Sequence, residues 1–445
     1  MTTTPADQPE PATVVPPAGV VGRVRARSAT AVGTHAICDY FSFVLISLLP
    51  VFTTHLGLTT ANKAVLIGVG TVCSGVIQPV VAWVSDKFDT RVLATGGLFL
   101  AVVSVACYGL AARFEHLIIL QALATTGVGA FHPPAAAVVG RMSGARRSVG
   151  MAIFFLAGML GGMAGNVTAP RYVSWMAERA GTAATPDIGA GLDALAWLAI
   201  PGVLACVFLA WAIHKTPHRH HAARDHHTSL GPVERRRRWS AVGVLYGANV
   251  IRFNVNLALV YLFNEWAEAH TRAQAGVDTL ADTLGTQASQ LNGFMQASMQ
   301  LGMGGMGLLL GFTLARRFEK HAFVGFPLAG AVVIALMPIA EGVPGAGVPI
   351  ALGLAVLSGV GFGCMIPVSM AVAQRLLPHR TSLASGMMLG GAWAFGFVGP
   401  LVVERVHTDV SLDAAFYTTG VALATAGLLC LALPGRLLTD AVDHH

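Results

Sequence analysis

Long apolar runs, each about long enough to cross a bilayer, alternate with short polar turns along this chain. A helix needs about 20 mostly apolar residues to span the hydrocarbon layer. The pattern predicts twelve such spans. In the first half they cover 29–53, 61–85, 92–113, 116–140, 148–174 and 192–214. In the second half they cover 240–265, 287–315, 321–340, 348–376, 382–403 and 412–434. The Pro- and Thr-rich start, 1–28, is expected to be disordered, and it lacks the basic start and short apolar core of a cleaved signal. The stretch 215–239 is expected to be a linker between two six-helix bundles, 29–214 and 240–434, with 435–445 as a tail. The fold class is therefore all-α and integral to the membrane.

Composition agrees with this pattern. Of 445 residues 54% are hydrophobic and only 11% charged, against roughly 25% charged in soluble domains. The mean hydropathy is +0.64. Net charge +6 would suit nucleic acid, but the basic residues lie between spans rather than on one helix face, so no nucleic-acid partner is expected. They set orientation instead. With both termini in the cytoplasm, 21 of the 28 Lys and Arg residues fall on the inner side and six on the outer side. The outer six are Lys63, Arg113, Arg171, Arg179, Arg272 and Arg405; Arg252 falls inside a span. The expected place is a plasma (inner) membrane, with the lipid bilayer as partner and the chain acting as a monomer.

The chain also repeats itself. "AWVSDKFDTR" (Ala82–Arg91) follows the second span as "GFTLARRFEK" (Gly311–Lys320) follows the eighth. "GVGAFHPPAAAVVGRM" (Gly127–Met142) has a counterpart in "GVGFGCMIPVSMAVAQRL" (Gly359–Leu376), and "GMLGGMAGN" (Gly158–Asn166) in "GGAWAFGFVGP" (Gly390–Pro400). Two six-span repeats with a site between them are the mark of a secondary transporter.

Ionisable residues inside spans are costly and so point to function. Asp39 falls near the middle of the first span, with His35 one turn earlier on the same face. Arg252 falls near the middle of the seventh, among Asn249, Asn254 and Asn256. Because these two spans are counterparts, Asp39 and Arg252 are expected to face one cavity from opposite halves, where a proton and an anionic substrate would compete for them. The alternative is a fixed ion pair. His132 precedes Pro133 and Pro134, which free backbone carbonyls. It would accept a proton, donate to a substrate, or bond a freed carbonyl. Gln296 and Gln300 lie one turn apart on the eighth span and would meet a polar substrate, with Met295, Met299, Met303 and Met306 as packing or an adaptable wall. The glycines from 158 to 165 allow close helix approach.

Other chemistries are weaker. Six scattered cysteines have no metal or redox spacing and read as core residues. No activated nucleophile appears, so an enzyme is not expected, nor a cofactor. The histidines of the linker read as a solvated loop. His35, Asp39 and His132 would ligate a divalent metal only if they converge; no metal site is assigned.

The spacing of Ala82, Asp86, Lys87 and Arg91 resembles the signature loop of the major facilitator superfamily. "HAICD" (His35–Asp39), "QPVVAWVSDKF" (Gln78–Phe88), "FHPPAAAVVGRMSG" (Phe131–Gly144) and "QRLLPHRTSLASGMMLGGAW" (Gln374–Trp393) resemble its fosmidomycin-resistance group of efflux proteins. One position departs: Pro134 stands where that group has an acid. The resemblance implies a proton antiporter exporting a small amphipathic or anionic compound by alternating access. The alternatives are proton-coupled uptake of an organic anion and transport of a metal or metal chelate. It also implies that Asp86, with Lys87 and Arg91, braces the inner side of the two halves. The second-half copy keeps Arg316 and Lys320 but has Ala315 at the acid's position.

Overall fold

The computed structural model describes residues 18–85, 91–143, 147–183, 185–214, 231–275, 281–343, 345–377 and 380–440. The expected gating residues Asp86 and Lys87 lie outside them, as do 215–230 of the linker. All regular elements among the described residues are helices, with no strand. Twelve long helical segments follow one another. In the first half they are α1 (Ala18–Leu56), α2 (Thr60–Ser85), α3 (Arg91–Ala106), α4 (Phe114–Met142), α5 (Arg147–Ala180) and α6 (Ile188–Ile213). In the second half they are α7 (Pro232–Gln274), α8 (Ala281–Thr313), α9 (Glu319–Ala335), α10 (Gly347–Leu376), α11 (Met387–Asp409) and α12 (Leu412–Leu429).

Ten of these helical stretches among the described residues are long and apolar enough to cross a membrane, and α3 adds a shorter apolar helix. The remaining one, α8, has 33 residues. Asn292, Gln296 and Gln300 dilute its apolar character, and all three are buried. In lipid only helices and closed barrels can satisfy their own backbone.

Several helices outrun their apolar segments. α7 has 43 residues and begins at Pro232, inside the expected linker. A proline at the first helical position is preorganised for a start. The arginine run that follows is a good helix former, and Arg238 Nε lies 2.8 Å from Glu234 Oε1 one turn back. α1 likewise begins at Ala18, inside the stretch expected to be disordered. α11 is preceded by Thr381–Gly386 and opens with a π-turn, Met387–Gly391.

The two halves are built alike. In the first, α1 packs on α5, α2 on α4, and α3 on α6; in the second, α7 packs on α11, α8 on α10, and α9 on α12. The halves meet where α2 crosses α11 and where α1 and α5 cross α8. On the periphery α6 exposes Leu204, Val207, Phe208 and Trp211, a surface suited to acyl chains rather than water.

Close approach of α1 and α5 depends on glycine. A Cβ at Gly161 would overlap the backbone carbonyl group of Ala36, which lies between His35 and Asp39. The second-half copy uses the same device, since a Cβ at Gly399 would overlap the carbonyl oxygen of Asn254. Gly161→Val is expected to push α1 off α5 and to destabilise the bundle by about 1–3 kcal/mol. Thermal unfolding in detergent checks this; an unchanged Tm would show that the helices do not meet there.

Candidate functional site

Three helices converge on Asp39. On α1, His35 sits one turn before it, with Nε2 3.4 Å from Asp39 Oδ2. On α4, His132 Nε2 lies 3.2 Å from Asp39 Oδ1. α5 contributes no side chain but two necessary features. A Cβ at Gly158 would overlap both the Asp39 carboxylate and the His35 ring, so glycine makes room for the pair. One turn earlier, the Phe154 carbonyl lies 2.6 Å from His35 Nδ1, and the Phe154 ring stacks on the imidazole at 3.8 Å between centroids.

The hydrogen positions follow from the acceptors. His132 Nδ1 is 2.7 Å from the Val128 carbonyl and His35 Nδ1 faces the Phe154 carbonyl. A carbonyl only accepts, so both Nδ1 atoms carry the proton. A neutral imidazole then has a bare lone pair at Nε2. Both Nε2 atoms point at one carboxylate, which also offers only lone pairs. Each of these two contacts becomes attractive only when a proton lies in it. The His132 contact has hydrogen-bond length; His35 Nε2 is buried with no hydrogen-bond partner. Exposure runs the same way: 2% for His35, 17% for Asp39 and 25% for His132. The His132–Asp39 edge is the reachable one.

The same donor set suits a divalent cation. Its ligand atoms all lie within 4.8 Å of one another. Ligands 2.0–2.1 Å from a tetrahedral zinc stand about 3.3 Å apart, close to the two nitrogen–oxygen distances here. Each histidine also has its other ring nitrogen fixed by a carbonyl, as metal-ligating histidines do.

His132 does not bond a carbonyl freed by proline. Pro133 and Pro134 release the carbonyls of Gly129 and Ala130, whereas His132 holds that of Val128.

Arg252 is not part of this cluster, which corrects the expectation that it faces Asp39. Its guanidinium is fully buried and turned into its own half. It donates to Asn249 Oδ1 at 3.0 Å, to the Phe323 carbonyl of α9 at 3.3 Å and towards Cys430 Sγ beyond α12 at 3.6 Å. It also lies over the Phe323 ring. Equivalent positions along two repeats do not guarantee equivalent rotation about the helix axis. Asn249 is structural as well: its Nδ2 donates to Ser369 Oγ of α10 at 2.7 Å and to the Met388 carbonyl of α11 at 3.2 Å.

The remaining polar candidates are largely committed. Asn256 reaches Met303 Sδ at 3.9 Å. Gln296 donates to the Val260 carbonyl and to Asn292 Oδ1, both at 3.0 Å. Gln300 joins the halves, accepting from Asn166 Nδ2 of α5 at 3.3 Å. Arg91 opens α3. Arg316 lies in an exposed 3-10 turn before α9, and Lys320 in the first turn of α9. Between them and α10, Glu319 Oε2 pairs with Arg375 Nη2 at 2.5 Å. The sequence reading missed Glu319, as it missed Lys63, whose Nζ bridges Glu265 and Glu268 across the two halves at 2.5 and 3.0 Å.

Such a fold, all helices with two like halves and a polar cluster inside, is that of a membrane transporter and not an enzyme. The profile of the Major Facilitator Superfamily matches residues 32–271, and the chain belongs to that family. It is 23% identical over 415 residues to the fosmidomycin resistance protein of Escherichia coli (strain K12), covering 92% of each chain. It is 24% identical over 408 residues to the MFS-type transporter YfnC of Bacillus subtilis (strain 168), covering 90% of each. Among solved structures, a POT family transporter in complex with 5-aminolevulinic acid superposes with a TM-score of 0.67 at 14% identity, over 93% of this chain and 96% of that one. A bacterial homologue of the human lysosomal transporter Spinster, inward-facing and occupied, gives 0.65 at 12% identity, over the same shares. At such identities these two show the shared fold.

Arg252 yields a test of its structural role. Arg252→Met removes the donors held by the Phe323 carbonyl and Asn249, and a buried acceptor left bare costs about 1–3 kcal/mol. The variant is expected to unfold at lower temperature yet to keep the wild-type pH profile of transport. A changed profile with unchanged stability would return Arg252 to the coupling machinery.

Proposed function

We propose that this transporter exports a small amphipathic or anionic compound in exchange for protons, by alternating access, with His35, Asp39 and His132 as the coupling site. The observation that carries this reading is the pair of Nε2 atoms aimed at one carboxylate. Two protons satisfy both contacts, one proton satisfies one, and none leaves lone pairs opposed. The cluster is thus a place where protons are gained and lost as its surroundings change. A substrate reaching the exposed His132–Asp39 edge competes with a proton there, which is the condition for exchange. The relation to a fosmidomycin resistance protein supports export. The charge asymmetry of the loops supports both termini in the cytoplasm of a plasma membrane, which puts the Lys63 end outside.

A second reading, transport of a divalent metal or its chelate, is favoured by one observation, the convergence of two imidazoles and a carboxylate with their ligand atoms within 4.8 Å of one another. It requires a titration by Zn2+ that is lost in His132→Gln. Absence of such binding removes it.

Two outcomes test the main reading. Asp39→Asn, reconstituted in vesicles, is expected to abolish transport driven by a pH step while exchange at equal pH survives. If the variant still concentrates substrate in response to the step, Asp39 is not the coupling group. Truncated fusions to a reporter active only outside the cytoplasm are expected to give signal at Val410 and none at Val233; the reverse pattern overturns the orientation.

A further inference from the structure

The cluster around Lys63 is built differently from the one around Asp39. Lys63 sits in the first turn of α2, and only 2% of its side chain is exposed. Its partners, Glu265 and Glu268, stand one turn apart on α7 of the other half, 7% and 12% exposed. Asn264 Nδ2 donates to Glu265 Oε1 at 3.2 Å and to Glu268 Oε1 at 3.0 Å. α11 brings two more titratable groups to this seam. Glu404 accepts from Thr60 Oγ1 of α2 at 2.9 Å, and His407 Nδ1 lies 3.1 Å from the Tyr261 hydroxyl of α7. His270, on α7, stacks instead on Trp266 and meets Gly347 of α10.

The charges do not balance. One ammonium stands against the two carboxylates of Glu265 and Glu268, while Glu404 and His407, both half-buried, stand at the edge. A buried excess of like charge is strongly unfavourable, and a proton is the smallest cation able to remove it. Alternating access adds a constraint. Lys63 and its two partners belong to different halves, so their bonds must break when this end opens. Water then reaches all of these groups and screens the excess. When the end closes, water leaves and the excess must be neutralised.

We propose that Lys63, Glu265 and Glu268, with Glu404 and His407 at their edge, form a second proton-binding site, separate from Asp39. It is loaded from the Lys63 side while that side is open and must be loaded for it to close. Glu268, the more exposed of the two partners, takes the proton on its carboxylate. Lys63 then forms a neutral pair with Glu265. Acid on the Lys63 side thereby favours the state that is open at the opposite end. The inference rests on the alternating-access part of the proposed function, and not on the choice of Asp39 as coupling group.

The test is a distance across this end. Nitroxide labels at Ala61→Cys (α2) and Ala273→Cys (α7), both exposed positions, are introduced after replacing the partly exposed Cys73 and Cys107 by serine. Double electron–electron resonance is recorded in lipid nanodiscs between pH 5 and pH 8. The short-distance population is expected to grow as pH falls. Glu268→Gln mimics the protonated acid and is expected to keep that population high throughout, with most of the pH response gone. Lys63→Gln removes the cation that favours the charged carboxylates, so the midpoint is expected to move about 1–3 pH units higher. A response that both Glu268→Gln and Lys63→Gln share with the wild type overturns the inference and leaves alternating access standing. A distance fixed at every pH in every variant overturns both.

Discussion

Asp39 lies among three helices in a region where a bare carboxylate would be strongly penalised. Much of the first half is arranged to meet that cost. α1 supplies an imidazole one turn away. α4 supplies a second through His132. α5 comes close enough to close the site only because Gly158 and Gly161 have no side chains to hold it off. Its Phe154 carbonyl and ring then fix the tautomer and the plane of His35. The glycine spacing on α5, the His-Pro-Pro segment on α4 and the His–Asp turn on α1 are parts of one arrangement. Altering the spacing of any one moves a nitrogen away from the carboxylate.

Other buried charges obey the same constraint with different solutions. Arg252 is met by neutral acceptors, all from its own half. A rigid-body motion of the halves would leave those acceptors in place, so the residue serves to tie α7 to α9 and to the chain beyond α12. The Glu319–Arg375 pair is likewise internal to one half. Lys63 is answered from across the seam, as is the amide of Asn166 by Gln300. Whether a polar group is satisfied within its half or between halves separates scaffold from moving part. This distinction rests on connectivity, which residue type alone does not reveal.

That explains what the sequence could and could not disclose. The twelve spans, the repeat and the His35–Asp39 turn were legible because each is a local pattern read along one helix. His132 was legible as a candidate because prolines inside a span demand a special environment, although its carbonyl partner proved to be Val128 rather than a freed one. Arg252 misled because periodicity gives depth in the membrane but not rotation about the helix axis. Asn249 and Gln296 looked like substrate contacts, yet a polar side chain in a bundle must first be satisfied there, and the amide nitrogens of these two are, whereas Gln300 is held through its oxygen. Lys63 was counted as a topology signal, since it falls at a helix start where a basic residue is ordinary. Glu265 and Glu268 were hidden because α7 continues past its apolar run to Gln274, so they seemed to lie at or beyond the end of the span.

Asp39 and Lys63 would sense a change of state by different physical routes. Asp39 keeps its partners, since His35, His132 and the Phe154 carbonyl all belong to one half. What changes for it is water at the exposed His132 edge, and with water the ease of carrying charge. Lys63 loses its partners outright, because they belong to the other half. A site that responds through solvation can exchange a proton without any large rearrangement of its own. A site that responds through partners instead makes the rearrangement depend on charge. Under the proposed alternating access the first kind would decide what is carried, and the second would decide when an end can shut.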